Sequence, residues 1–254
     1  MNTREMAEQN CVYKIRSGSH LYGTNTEESD LDYLGIFVPT RDYVLGIYRC
    51  EQVVFSEKNS PGTKNTKEDI DCTLFSLLKF IELARNNNPN IIELFFANHT
   101  AVTLCTDLGG ILQDSYKLFV SKQCYHRFKG YAAGQRQKML SNNGKGRDVT
   151  RKDLVEKYGF DCKYGSHLIR LLLEGLELLT EGKLTLPLTQ NVLVRDIKIG
   201  KYTMNEVMKK AEELERLVDL AYVNSPLQVS SDIDKINDLQ IYLLKDFWRT
   251  NEKN

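Results

Sequence analysis

Apolar residues recur at every second position in the first part of the chain and at every third or fourth position in most of the rest. Residues 11–17 (CVYKIRS) read as a strand, GSHLYGT as a turn with a short helix, and SDLDYLGIFV as a second strand ending at Pro39. A further strand is predicted over 51–57 (EQVVFSE), and EDIDCTLF predicts another. Between them, residues 58–67 (KNSPGTKNTK) have the Pro, Gly, Asn and Ser content of an exposed loop. Helical spacing takes over at 74–87 (LFSLLKFIELARNN), stops at Asn88-Pro89 and resumes briefly in NIIELFF. From Asp107 onward, 107–119, 121–141, 160–181, 204–223 and 232–249 all carry a 3.6-residue period, broken at 141–146, Pro187 and Asn224-Ser225-Pro226. The pattern predicts an α+β protein with a strand-rich lobe over 1–105 followed by a mainly α-helical lobe over 106–254, with a boundary near 98–107 and the later helices free to pack back on the sheet.

Composition narrows the class. The chain has 254 residues, 41% of them hydrophobic, and 34 Lys+Arg against 34 Asp+Glu. That is enough apolar material for a core, and the charge balance is not that of a disordered chain or of a protein coated with positive charge for gripping duplex nucleic acid. No apolar stretch approaches the length of a membrane span and the first ten residues lack a leader's apolar region, so a soluble, intracellular, cytoplasmic protein is expected, without membrane partners. Six cysteines lie 19 to 39 residues apart with no CxxC pair, which speaks against a zinc site or a disulfide framework.

The candidate chemistry is carried by carboxylates. Asp30 and Asp32 stand two apart in SDLDYLG, where an extended strand puts alternate side chains on one face. Like charges held together raise each other's pKa or require neutralisation, and hard oxygen ligands suit Mg²⁺. Asp71, in Ile70-Asp71-Cys72, repeats the apolar-Asp-apolar pattern of Leu31-Asp32-Tyr33, and its same-face neighbour Asp69 is the rival. A strand register shifted by two residues exchanges the two. Upstream, Gly18-Ser19 falls between a strand and a helix, where backbone N–H groups and a small hydroxyl suit a phosphate. A DxD or a Gly-Ser alone is commonplace in loops and caps. The order strand, Gly-Ser, ten residues, Asp-x-Asp, then a further acidic strand supplies the parts of two-metal phosphoryl transfer.

The segment GSHLYGTNTEESDLDYLGIFV resembles the signature of the DNA polymerase β-type nucleotidyltransferase superfamily, and more closely its RNA-repair-pathway branch of bacteria and large phages. The resemblance continues through EDIDCTLFSLLKFIELARNNNPNIIELFF and, more loosely, FKGYAAGQ and YGSHLIRLLLEGLELLTEGKLTLPL, covering roughly residues 11–190. One departure is Ser17, where the superfamily usually has an apolar residue before the glycine. The resemblance implies a nucleotidyltransferase-type mixed β-sheet lobe in which Gly18 and Ser19 hold the triphosphate. Asp30 and Asp32 would bind the Mg²⁺ ions, with Mn²⁺ as a substitute, and Asp71 would complete the metal site and act as, or orient, the base for the acceptor hydroxyl.

Charge in the helical lobe is segregated. Residues 117–152 hold ten basic side chains against Asp148, a net of +9, whereas 204–254 carry a net of −3. Tyr116, Tyr125, Phe128 and Tyr131 interleave the basic stretch and could stack on bases, with core packing as the alternative. Arg127, Tyr131, Gln135 and Lys138 follow helical spacing, and Lys145, Arg147 and Arg151 add basic candidates for nucleic-acid binding. In 160–181, Lys163, His167, Arg170 and Glu174 form a polar stripe opposite Leu168, Leu172, Leu176 and Leu179. That stripe could serve solubility alone, with Arg170 and Glu174 as an ordinary ion pair. The resemblance favours nucleotide binding by Tyr131, Lys163, His167 and Arg170. His20, His99 and His126 have no metal-ligand spacing.

The expected activity is Mg²⁺-dependent transfer of a nucleoside monophosphate from an NTP such as ATP to an acceptor hydroxyl, with an RNA (tRNA-like) end as acceptor and pyrophosphate released. Nucleotidylation of a protein or small molecule, and a non-catalytic nucleotide-binding regulator, are the competing readings. A phage-encoded copy would work in the host cytoplasm.

Overall fold

The computed structural model of the protein describes residues 2–27, 29–57, 69–141 and 151–251. In chain order the first elements are α1 (Thr3–Gln9), β1 (Cys11–Arg16), α2 (Gly18–Tyr22), β2 (Leu31–Phe37), α3 (Arg41–Leu45), β3 (Gln52–Glu57) and β4 (Ile70–Ser76). There follow α4 (Leu77–Arg85), α5 (Pro89–Ile92), a 3₁₀ turn (Glu93–Phe96), β5 (Val102–Cys105), α6 (Asp107–Asp114) and α7 (Tyr116–Phe119). The remainder comprises α8 (Gln123–Ser141), α9 (Lys152–Tyr158), α10 (Cys162–Glu181), α11 (Asn191–Lys198), α12 (Met204–Asn224) and α13 (Ile233–Asn251).

The described strands form one mixed sheet in the order β3-β4-β2-β1-β5. Only β2 and β4 run parallel, in an unbroken register from Leu31↔Ile70 through Asp32↔Asp71 to Phe37↔Ser76. The other pairs are antiparallel. The apolar run predicted as helical from Leu74 is still strand up to Ser76, whose side chain then caps α4 by accepting from the Lys79 N–H. β5 was not foreseen; it extends the sheet beyond β1.

The chain divides into two compact units, and the division differs from the expected 1–105 and 106–254. The sheet unit comprises the described parts of 1–86, 90–119 and 231–254; the helical unit comprises 87–89 and the described parts of 120–230. The C-terminal helix is thus a component of the sheet unit. There its buried Ile236, Leu243, Leu244, Phe247 and Trp248 find apolar neighbours, and Trp248 Nε1 donates to the Pro39 carbonyl at 2.9 Å. Ser231, just ahead of it, donates to the Arg85 and Phe119 carbonyls, each at 2.7 Å. A 3.6-residue period shows that a segment is helical and which face is apolar, but it does not say which surface that face covers. At the other end of the chain, α1 is fixed by a capping box of Asn2 and Glu5 and packs Met6 and Ala7 against Phe37, Cys72 and Leu74.

The helical unit is built around α10, which α8, α11 and α12 surround. Buried Asp161 caps its first turn by accepting from the Lys163 and Tyr164 N–H groups, and Gly182 ends it in the left-handed conformation. Gly175 lets α8 approach closely: a Cβ there would lie 3.1 Å from Phe128 Cβ, a tight contact. No helix among the described residues is long and apolar enough to cross a membrane.

Candidate functional site: three carboxylates on adjacent strands

Asp32 and Asp71 are the second residues of β2 and β4 and face each other across the parallel pair. Asp30 lies two residues ahead of Asp32, on the approach to the strand. The parallel register therefore brings three half-buried carboxylates together, with one oxygen from each lying within 4.8 Å of the others. Asp69, the rival for the third position, is 3% exposed and accepts from the Leu31 N–H through its backbone carbonyl at 3.1 Å. It is not among the converging carboxylates.

The turn before them is shaped to that cluster. Gly18 has φ +62°, and a Cβ at that position would stand 2.3 Å from Asp32 Oδ2. Glycine is thus needed twice, for the left-handed backbone and for the space the carboxylate occupies. Buried Ser17 precedes it, and its N–H donates to the Asp32 carbonyl at 2.8 Å, tying the turn to β2. Ser19 lies half-buried in the first turn of α2, and that helix is held at its far end by a buried hydrogen bond from the Tyr22 hydroxyl to Glu93. Sequence reasoning missed Ser56 of β3. It stands opposite Asp71 in the antiparallel β3–β4 pair and donates from Oγ to Asp71 Oδ1 at 2.5 Å. Only the strand pairing makes that contact, so no local motif announces it.

Near a protein surface, with an effective dielectric of about 20, carboxylates at this spacing repel by about 3 kcal/mol per pair before solvent screening. A hard cation relieves that repulsion, and the donor set is all oxygen, convergent and open to solvent, as Mg²⁺ or Mn²⁺ requires. The residues present therefore fit a divalent metal.

In the helical unit the structure separates residues the sequence had grouped. Arg170 is 6% exposed and its Nη1 donates to both oxygens of buried Glu174, at 2.9 and 3.0 Å. The expected solvated stripe is therefore interrupted by a buried ion pair. Burial holds the Glu174 pKa above its ordinary value, and Arg170 offsets this only in part. Arg151 likewise bonds both oxygens of Asp161, at 3.1 and 3.0 Å, and lies over the Tyr164 ring, which Lys138 also approaches. Lys163 remains half-buried and His167 keeps solvent-exposed surface. Desolvation, and after it the cations Arg170, Arg151, Lys198 and Lys163, still pull the His167 pKa down to about 3, so its imidazole is neutral at pH 7.

The aromatic candidates also part ways. Phe128 is core, at 1% exposed. Tyr125 stacks on Tyr222 with centroids 4.2 Å apart, while Lys129 and Lys122 lie over these two rings. Its stacking partners are thus internal. Tyr116 packs edge-on against Phe96. Tyr131 is 38% exposed and its hydroxyl accepts from Asn88 Nδ2 at 3.1 Å. Arg127 and Lys138 are exposed on α8, and Lys145 and Arg147 lie outside the described residues.

The chain matches, over residues 2–247, the model of the RNA repair pathway DNA polymerase beta family. It belongs to that family. The match takes in both units, so the helical unit is as much part of the family's pattern as the sheet. Among relatives, an uncharacterized 38.9 kDa protein of Enterobacteria phage T4 is 35% identical over 133 residues, covering 50% of this chain and 38% of the phage protein. The uncharacterized protein YcgL of Bacillus subtilis (strain 168) is 23% identical over 156 residues, covering 58% of this chain and 57% of its own length. The chain thus spans about half the length, or less, of these relatives. Among solved structures, a nucleotidyltransferase-like protein from Exiguobacterium sibiricum 255-15 aligns over 99% of this chain and 77% of its own, at 12% identity and a TM-score of 0.32. The chain thus carries the pattern of a polymerase β-type family, with its acidic row on a mixed sheet.

Proposed function

We propose that the protein transfers a nucleoside monophosphate from an NTP to a hydroxyl at an RNA end, releasing pyrophosphate, with Mg²⁺ or Mn²⁺ as cofactor. The observation that carries this reading is the convergence of Asp30, Asp32 and Asp71 beside a glycine turn. The metal, when bound, supplies Lewis-acid stabilisation of the α-phosphate and of the departing pyrophosphate. The chain's own residues do the rest. Asp30 and Asp32 hold the cation against the NTP, and the Gly18-Ser19 turn receives the phosphates. Asp71 completes the cation site and takes up or orients the proton of the acceptor hydroxyl as its oxygen bonds to the α-phosphorus and the bond to pyrophosphate breaks.

On the helical unit, Lys163, His167 and Tyr131 are assigned to nucleotide binding, and exposed Arg127 and Lys138 to RNA, together with Lys145 and Arg147. Arg170 and Arg151 act there through the carboxylates they hold in place. The family's name supports RNA as the acceptor. A cytoplasmic location, that of the host for a phage-encoded copy, fits the use of NTP and RNA.

The test is incubation of the purified protein with α-labelled NTPs, Mg²⁺ and tRNA or total RNA. Label on RNA that is lost in the Asp30→Ala/Asp32→Ala variant is the expected result. Label on protein or a small molecule instead would replace RNA as the acceptor. No transfer at all, or equal transfer by the double variant, would overturn the reading.

A further inference from the structure

Asp32, Asp71 and Ser56 form a single row across three neighbouring strands. Asp32 pairs with Asp71 across β2 and β4, and Asp71 pairs with Ser56 across β4 and β3. The middle residue is thus pressed by a like charge on one side and held by a hydroxyl donor on the other, with Ser56 Oγ 2.5 Å from Asp71 Oδ1. A serine is not needed at this position for packing. β3 is the edge strand, and Gln52, Val54 and Ser56, alternating along it, are all exposed. A hydrogen bond that water could replace adds little to stability, but one to an ionised carboxylate is short and directional. Its consequence is to fix the plane of a carboxylate that repulsion from Asp32 would otherwise turn away.

We propose that Ser56 is a positioning residue for the third carboxylate: it holds Asp71 in the orientation needed for cation binding and for approach of the acceptor hydroxyl. The proposal rests on the assignment of Asp71 made above. It predicts an effect on the chemical step and on cation affinity, with nucleotide affinity left nearly unchanged, because Ser56 touches Asp71 and not the glycine turn.

Two substitutions test it. Ser56→Ala removes the donor at an exposed position where the fold has little to lose, and Ser56→Thr restores a hydroxyl on a side chain that suits a strand. Outer-shell partners of metal ligands typically change metal affinity or activity by about 10-fold or more, so Ser56→Ala should lower kcat about 10-fold while the KM for NTP moves less than about twofold. Mn²⁺ binding to the protein alone, followed by electron paramagnetic resonance, should weaken by several-fold in the same variant and be abolished in Asp71→Ala. Ser56→Thr should recover most of both losses. Wild-type Mn²⁺ affinity and kcat in Ser56→Ala, or a Thr variant no better than Ala, would overturn the positioning role. Because Mn²⁺ binding is read without nucleotide or RNA, the two readings fail separately: weakened binding in Ser56→Ala without any transfer activity upholds the positioning role and removes the transferase reading.

Discussion

The two units handle charge in opposite ways. In the helical unit, the cations that look most available in the sequence are matched to carboxylates inside the fold: Arg170 to Glu174, and Arg151 to Asp161, both acids being buried. In the sheet unit, carboxylates are set beside one another at the edge of solvent. A buried ion pair compensates desolvation only while both partners are present, whereas a cluster of like charge is complete only when something binds it. Charge in one unit therefore maintains architecture, and in the other it forms a cluster that could hold a cation.

The contrast can be broken most decisively at the acidic cluster. Asp30→Ala/Asp32→Ala should reduce nucleotidyl transfer by at least about 10³-fold, as loss of residues acting as a unit does, while the thermal midpoint stays level or rises because repulsion is relieved. A fall in the midpoint would show that those carboxylates are structural. Glu174→Ala should instead lower the thermal midpoint. Leaving the Arg170 charge buried without this partner should cost about 3–5 kcal/mol, measured by denaturant unfolding. An unchanged midpoint there would dissolve the distinction between the units.

Gly18→Ala is expected to be intermediate, about 1–2 kcal/mol from left-handed strain alone, with an added loss of Mn²⁺ affinity as the new methyl displaces the Asp32 carboxylate. Unperturbed Mn²⁺ binding would separate the turn from the cluster. The smallest effect belongs to His167. Its pKa is depressed in the folded protein to about 3 from an ordinary 6.5, so the unfolded chain binds the proton more readily. The stability it contributes is fully present above pH 6.5 and is lost as pH falls from 6.5 towards 3. The unfolding midpoint of the wild type should therefore decline more steeply between pH 7.5 and pH 5 than that of His167→Gln, and parallel declines would remove His167 from the electropositive group.

Much of the acidic site was legible in the chain because its parts lie close together in sequence. The Gly18-Ser19 turn, Asp30 and Asp32 belong to one strand-turn-strand segment, and glycine at a sharp turn and alternate aspartates on a strand are local patterns. Asp69 and Asp71 share a face in any strand, so only the β2–β4 register decides which of them meets Asp32. Ser56 was illegible for the same reason, since its role depends on how an edge strand pairs with β4. In the helical unit, Arg170 and Glu174 have the spacing of a surface pair, and nothing within the helix distinguishes that from the buried pair they form.

By itself, the sequence determined most of the longer strands and helices, their order, and the segments that carry glycine and carboxylate chemistry, because strand and helix periods and turn preferences are properties of a few neighbouring residues. The tertiary structure decided which carboxylates converge, which hydroxyl bonds one of them, which cations are internally matched, and that the last helix belongs with the sheet. Those outcomes depend on contacts between residues far apart in the chain, whose energies become comparable only when whole strands and helices are packed together.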